Sequence, residues 1–194
     1  MTADKRHSKR RNAAERILEG AAERLIEIGA AELSLQDVAR AARVSKALIH
    51  YHFDDKEAML ARVAEWAAAG LIARERTALD GVTPATAVDA LWRWGERELE
   101  TGHLRLLLEL GMYRAPLVQA AVSEAFQARR EMAAATIAQL FGLLELRPRV
   151  PTELLAGVVV AFVDGLSARQ PSESVAESRI AFDIFWLSLL SLAE

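Results

Sequence analysis

The sequence predicts an all-α protein of about nine helices, three short ones followed by a longer, more apolar bundle. Three observations carry this expectation. Apolar residues recur at helical spacing along almost the whole chain, and nowhere do they alternate convincingly as in a strand. Serine or threonine stands before many of these periodic runs, and glycine or proline after them. Apolar residues make up 52% of the 194-residue chain with charge of both signs, the balance of a packed protein rather than a disordered one.

The elements follow in order. "NAAERILEGAAERLIEIGA" places Ile17, Leu18, Ala21, Leu25 and Ile28 on one stripe, and Gly29 suits the position just past a helix end. "SLQDVARAA" opens with Ser34 as N-cap and Asp37 three residues on, then buries Leu35, Val38, Ala39 and Ala42. A two-residue break at Arg43 and Val44 leads to Ser45, a second N-cap, and the short run "KALIHYH". "DDKEAMLARVAEWAAAGLIARERTAL" is a long helix with acids in its first turn and Met59, Leu60, Val63, Trp66 and Ala67 inward. Gly81 ends it, and Thr83-Pro84 restarts the chain as N-cap and first helical residue of "ATAVDALWRWGERELE". Thr101-Gly102 breaks that helix before "HLRLLLELGM", and Pro116 opens another long one. "RPRVP" is the clearest loop. Two strongly apolar helices follow, separated by Gln170-Pro171.

Composition excludes several classes. With no cysteine there is no disulfide framework and no thiolate to hold a metal or act as nucleophile. The N-terminal residues lack the apolar segment of a secretory signal. The longest uncharged apolar run, Leu154 to Val163, falls far short of the roughly 20 residues that span a bilayer. A soluble, cytoplasmic protein without a membrane partner is expected. Net charge is −3, but it is unevenly placed: residues 1–56 carry +2 and the remainder −5. The run "KRHSKRR", Lys5 to Arg11, holds five basic residues and no acid; it reads as a solvated tail or as an arm reaching a phosphate backbone.

Helix, tight break and second short helix make a helix-turn-helix when an earlier helix covers their apolar face. Val44, Ile49 and Phe53 fall near one face of the third segment and can meet the stripe of the first. Lys46, Ala47, His50 and Tyr51 are left pointing outward. Such a face suits a major groove: a cation for guanine acceptors or phosphate, a small residue for close approach, and two rings for phosphates or thymine methyls. The stretch "IHYHFD" also matches part of the His-x-His-x-Asp-His pattern of metal-dependent hydrolases at His50, His52 and Asp54, but Asp55 stands where the last histidine belongs. On a helix, residues two apart diverge by about 200° and cannot share one ion. No catalytic residue, metal or cofactor is therefore expected, and a helical interaction protein that binds no operator is the other alternative.

"LSLQDVARAARVSKALIHYHFDDKEAML" resembles the DNA-binding signature of the TetR family of transcriptional regulators over roughly residues 12–70. The shared features are a Ser-capped helix with a Val-Ala pair, a Val-Ser turn, a recognition helix ending in aromatic, His and Phe, and a lysine opening the next helix. The resemblance implies a basic arm at 1–11, a helix-turn-helix domain at 12–56, and a domain for effector binding and dimerisation at 57–194. It implies that Ser34 caps the second helix and touches a phosphate, with Gln36 near the groove. Ser45, Lys46 and Ala47 would start the recognition helix, Tyr51 and His52 would hold phosphates, and Lys56 would contact the DNA backbone. Two residues depart from the pattern: Arg43 stands in the turn where glycine is usual, and His50 replaces the usual first aromatic. If Arg43 is left-handed, the strain is of order 1 kcal/mol, and its cation is an extra one beside the phosphates.

The resemblance further implies that the C-terminal bundle binds a small-molecule effector and forms a homodimer, as in a repressor released from double-stranded DNA, and that the chain is no enzyme. Independently, the last two helices are too apolar to face water. Ala156, Gly157, Ala161 and Gly165 in one allow close helix approach, and the other presents Ile184, Phe185, Leu187 and Ser188. Trp92 and Trp94, two apart, predict that at most one points squarely at a common core. Polar or aromatic candidates for an effector pocket are Trp92, Glu96, Glu100, His103, Arg114, Phe126 and Phe162, with Gln127 and Asp164 as further polar groups embedded in apolar helices.

Overall fold

The computed structural model describes residues 2–169 and 174–194, with side chains from residue 13 onward. The side chains of the basic run from Lys5 to Arg11 and the Gln170-Pro171 break lie outside the described residues. Among those described there are nine helices: α1 (Thr2–Glu32), α2 (Leu35–Ala41), α3 (Lys46–His52), α4 (Lys56–Ala78), α5 (Ala87–Thr101), α6 (His103–Met112), α7 (Pro116–Leu143), α8 (Thr152–Arg169) and α9 (Val175–Leu190). They divide into two units, 1–67 with 106–125 and 68–105 with 126–194. The division falls inside α4, α6 and α7.

In the first unit the expected stripe of α1 is buried: Ile17, Leu18, Ala21 and Leu25 are each at most 7% exposed, and Ile28 is half-buried. Gly29 takes φ 78° and ψ 162°, which interrupts α1 one turn before its nominal end. The carboxylate of Glu109 receives the Ala30 N–H at 3.4 Å just past this break. Ser34 caps α2 and forms a reciprocal capping box with Asp37. Ser45 caps α3 by accepting the Leu48 N–H at 3.2 Å. Val38, Ala39, Ile49 and Phe53 turn inward, as do Met59, Leu60 and Val63 of α4.

The connection from α2 to α3 is a Schellman closure. The Val44 N–H reaches the Ala39 carbonyl at 2.9 Å and the Arg43 N–H reaches that of Arg40 at 3.2 Å. The residue at its left-handed position is Arg43, at φ 55°. The guanidinium of Arg16, in α1, donates to the carbonyls of Ala42 (2.8 Å) and Arg43 (3.1 Å), so the first helix clamps the turn directly. Nearby, a Cβ on Gly20 would stand 2.8 Å from the Ala42 nitrogen and 3.2 Å from its Cα. The backbones of α1 and the end of α2 therefore touch where only glycine fits.

In the second unit, α5 packs on both α8 and α9. It begins at Ala87 rather than at Pro84, because Thr83 to Thr86 form a turn held by the Thr83 N–H donating to the Thr86 hydroxyl at 3.1 Å. Gly102 closes it at φ 75°. The expected loop around Pro148 does not run alone. Arg147 and Glu194 exchange backbone hydrogen bonds at 2.7 and 2.9 Å, and the Arg149 N–H reaches the Leu192 carbonyl, tying the α7–α8 connection to the C-terminal residues. No helix among the described residues is long and apolar enough to cross a membrane.

Gly20→Val should lower the thermal midpoint, since overpacking against a backbone costs about 1–3 kcal/mol and each kcal/mol is worth about 2–4 °C in a chain of this size. Thermal unfolding followed by circular dichroism checks this; an unchanged midpoint would mean that α1 and α2 separate without cost.

Candidate nucleic-acid interface and ligand cavity

The outward side of the α2–α3 corner gathers most of the expected recognition residues. Ser34, Gln36, Arg43, Ser45, Lys46, Ala47, His50 and Tyr51 are all exposed, Tyr51 at 57%. Ile49 and Phe53 occupy the opposite side of the same short helix, so the division into inward and outward faces is the one the spacing predicts. His50 and His52 are both helical, as part of α3. Among the described residues no group of three or more His, Cys, Asp or Glu side chains is arranged to hold a metal.

Three residues of the expected set are already engaged. The Ser34 hydroxyl accepts the Asp37 N–H at 3.2 Å and donates to its carboxylate, so touching a phosphate would require it to leave the capping box. Bonding to the Ser34 hydroxyl and backbone holds the Asp37 carboxyl below its usual value. His52 is half-buried, its Nε2 is enclosed without a hydrogen-bond partner, and its ring meets those of Tyr51 and Phe53 at 5.2 and 6.2 Å. An outward phosphate contact through that nitrogen does not fit this placement. Lys56 is half-buried as well. Its ammonium donates to the Ala31 carbonyl at 3.3 Å and lies 5.4 Å from the centre of the Tyr113 ring. Burial lowers its pKa, with Glu32 acting in the opposite sense. Its position serves first to fasten the start of α4 to the end of α1. Ser45, by contrast, uses only an acceptor lone pair in its cap and keeps a proton to donate.

Sequence reasoning missed Arg16, the clamp on the turn. No local pattern marks it, because its partners are backbone carbonyls 26 and 27 residues away.

The second unit holds an open cavity whose empty space, solvent at its mouth included, is about 790 Å³. Its walls come from the second half of α4, α5, α6, α7, α8 and α9. Trp92 and Trp94 both line it, and they are 6% and 7% exposed. The expectation that only one could face a core fails because α5 is covered on two sides, by α8 and by α9. Phe162 lines the cavity too, stacked on Phe185 with ring centres 4.0 Å apart. Phe182 and Trp186 complete an aromatic wall.

The remaining effector candidates lie elsewhere. Glu96 and Glu100 line a smaller recess of about 240 Å³ with Val175 and Ser178. His103 does not line the cavity; it sits 3.3 Å from Glu98, which also takes the Arg74 guanidinium at 2.5 and 2.9 Å. Burial alone would raise the Glu98 pKa, but the bonds from His103 and Arg74 outweigh it and hold the carboxyl below its usual value. Arg114 is exposed and belongs to the first unit. Phe126 is half-buried against the Arg129 guanidinium, 5.4 Å from ring centre to charge, and Gln127 is exposed and bonded to Glu131.

The polar groups that do reach the cavity went unrecognised, apart from Asp164 behind it. Glu75 and Thr136 are both buried, and the Thr136 hydroxyl donates to the Glu75 carboxyl at 2.7 Å. Burial pushes the Glu75 pKa up; the Thr136 bond and the Arg129 charge work against it without cancelling it. Arg129, 7% exposed, sits 2.8 Å from Asp164.

Residues 17–63 match the sequence profile described as bacterial regulatory proteins of the tetR family. No curated protein matches the chain in sequence. Among solved structures, one from Rhodococcus sp., described as a TetR-family transcriptional regulator, is 22% identical; the likeness covers 92% of this chain and 98% of that one, with a TM-score of 0.74. The transcriptional regulator FadR from Bacillus subtilis, solved with stearoyl-CoA, is 15% identical over 88% of this chain and 96% of its own, with a TM-score of 0.66. A protein from Saccharomonospora viridis, described as a transcriptional regulator and solved with choline, is 21% identical over 89% and 94%, with a TM-score of 0.67. At these identities the likeness establishes a shared fold. The segment at 17–63 thus matches the profile of the tetR family of bacterial regulatory proteins, and the whole chain shares the fold of these solved structures.

Proposed function

We propose that the chain is a sequence-specific DNA-binding transcriptional regulator, a homodimeric repressor that a small molecule releases from its operator. The exposed face of α3 carries this reading. Lys46, Ala47 and His50 lie on the solvent side of a short helix whose other side is locked into a core. A recognition helix in a major groove needs that division. Lys46 and Arg43 supply charge, Ala47 allows close approach, and His50 offers ring nitrogens to a base edge or phosphate.

Dimerisation is supported by apolar ridges on the last two helices. Leu154, Val158, Ala161 and Gly165 line the exposed side of α8, and Ile180, Ile184 and Leu187 line that of α9, with Leu187 70% exposed. Contiguous apolar surface of this kind calls for a partner, and a second copy of the chain presents the same ridges by two-fold symmetry. Two half-sites about 34–36 Å apart also require two recognition helices. Control by a small molecule is supported by the aromatic cavity, and the related fold holds stearoyl-CoA in one regulator and choline in another protein. One helix, α4, carries core residues Met59, Leu60 and Val63 of the first unit and cavity residues Leu71, Ile72 and Glu75 of the second. A ligand that redirects α4 would change the spacing of the two recognition helices, and its different affinity for the two spacings would drive release.

Retardation of a fragment from the promoter region of the protein's own gene at low salt tests the reading; Lys46→Ala should weaken retention about tenfold, and full retention by that variant would sink it. Arg43→Gly should separate charge from fold: loss of the left-handed strain roughly offsets the greater flexibility of the unfolded chain, within about 1 kcal/mol, while DNA affinity falls severalfold. Loss of the folded state in this variant would contradict that account. Leu187→Glu should convert dimer to monomer in sedimentation and reduce operator retention with it; an unchanged mass would place the interface elsewhere.

A further inference from the structure

We infer that the cavity takes an uncharged, largely apolar molecule that carries a carbonyl-type hydrogen-bond acceptor. The inference deepens the regulator reading and rests on it for the ligand's role as effector, though not for the ligand's chemistry.

Two buried donors on cavity-lining residues have no hydrogen-bond partner: Nε1 of Trp94 and Nη1 of Arg129. Both side chains are more than nine-tenths buried. A buried donor without an acceptor is costly, so an occupant that supplies acceptors gains what a plain hydrocarbon cannot. Among the described residues of the cavity wall the only carboxyl is that of Glu75, which is already held by the Thr136 hydroxyl at 2.7 Å.

Charge narrows the class. Arg129 has its counter-charge in Asp164 at 2.8 Å, so an anionic ligand would enter with no cation left to balance it. Burial raises the Glu75 pKa and the Thr136 hydroxyl already holds its carboxyl at 2.7 Å, so the wall offers a cationic ligand no free carboxylate. The aromatic wall of Trp92, Phe162, Phe182, Phe185 and Trp186 could face a cation, but an ammonium group itself brings no acceptor for either orphaned donor. A neutral carbonyl on a ring-bearing or aliphatic body meets both demands at once.

A matched series tests this on the full chain without DNA: benzophenone, diphenylmethane, diphenylacetate and diphenylmethylammonium share two phenyl rings on one carbon and differ in the polar group. Isothermal titration calorimetry should show benzophenone binding at least about tenfold more tightly than the other three, the scale of one well-placed hydrogen bond. Trp94→Phe, which removes the indole N–H and keeps an aromatic ring, should shrink the margin over diphenylmethane severalfold and leave diphenylmethane itself unchanged. Arg129→Lys keeps a cation for Asp164 and removes Nη1; it serves as the second variant, with the same expected loss of margin. Preference for the acid or the ammonium, equal binding of ketone and hydrocarbon, an unchanged margin in the folded variants, or no binding by any probe would each overturn the inference. DNA retardation separates the two readings. A chain that retards DNA but shows no ketone preference loses only the ligand class, and one that prefers the ketone but never retards DNA loses only the regulator.

Discussion

The close approach of α1 and the end of α2 governs what the first unit can present. Gly20 has no side chain to hold the Ala42 backbone away, and at that distance the Arg16 guanidinium reaches the two carbonyls that end α2. Those carbonyls flank the residue that turns the chain into α3, so the direction of α3 is set by a three-way contact of helix, turn and arginine. A left-handed Arg43 is tolerated at that point because both hydrogen bonds of the Schellman closure are made and Arg16 adds more. The surrounding bonds over-determine a strained residue, the condition under which such strain persists. The outward face of Lys46, Ala47 and His50 is thus held in place by residues that do not themselves belong to it.

In the second unit the governing requirement is different: an apolar bundle has admitted several charges, and each must be matched. Arg74 and His103 converge on Glu98, which is 2% exposed. Arg179 bridges Asp89 and Asp183 while lying 5.4 Å from the Trp92 ring, joining α5 to α9 at the edge of the aromatic wall. These clusters are well bonded and read as braces. The Arg129–Asp164 pair is matched in charge but keeps a guanidinium nitrogen unbonded, and it lies against the cavity. On the inference drawn above, that unbonded nitrogen is what sets Arg129 apart from the bracing clusters.

How much of this was legible follows from the range of each interaction. Caps, breaks and stripes act within a few residues, so Ser34, Ser45, Gly29 and the buried set of α1 and α2 could be read directly from spacing. The helix-turn-helix was legible for the same reason, since its parts are contiguous. The buried carboxylate of the α5 cluster was not: Glu98 was passed over for Glu96 and Glu100, because which face of α5 is enclosed depends on α8 and α9, far away in sequence. Trp92 and Trp94 misled in the same way, as a helix covered on two sides can bury residues about 200° apart. Lys56 and His52 show the reverse problem, with polar side chains that could be placed on the right helix but whose partners Ala31 and Tyr113, or Tyr51 and Phe53, come from the packed form.

Net charge of −3 and a DNA-reading role fit together once distance is considered. At physiological salt, exposed charges beyond about 8 Å are largely screened, so the acidic surplus of residues 57–194 does little at the α3 face. Among the described side chains, the cations at this corner are Lys46 and Arg43, with Arg40 beside them partly offset by Asp37 at 3.8 Å. Under the proposed function, binding would depend on the short-range fit of Ala47, His50 and Tyr51 and on two such faces acting together. In the proposed dimer, binding would be sensitive to the spacing of the two corners, which is the quantity the proposed ligand would change.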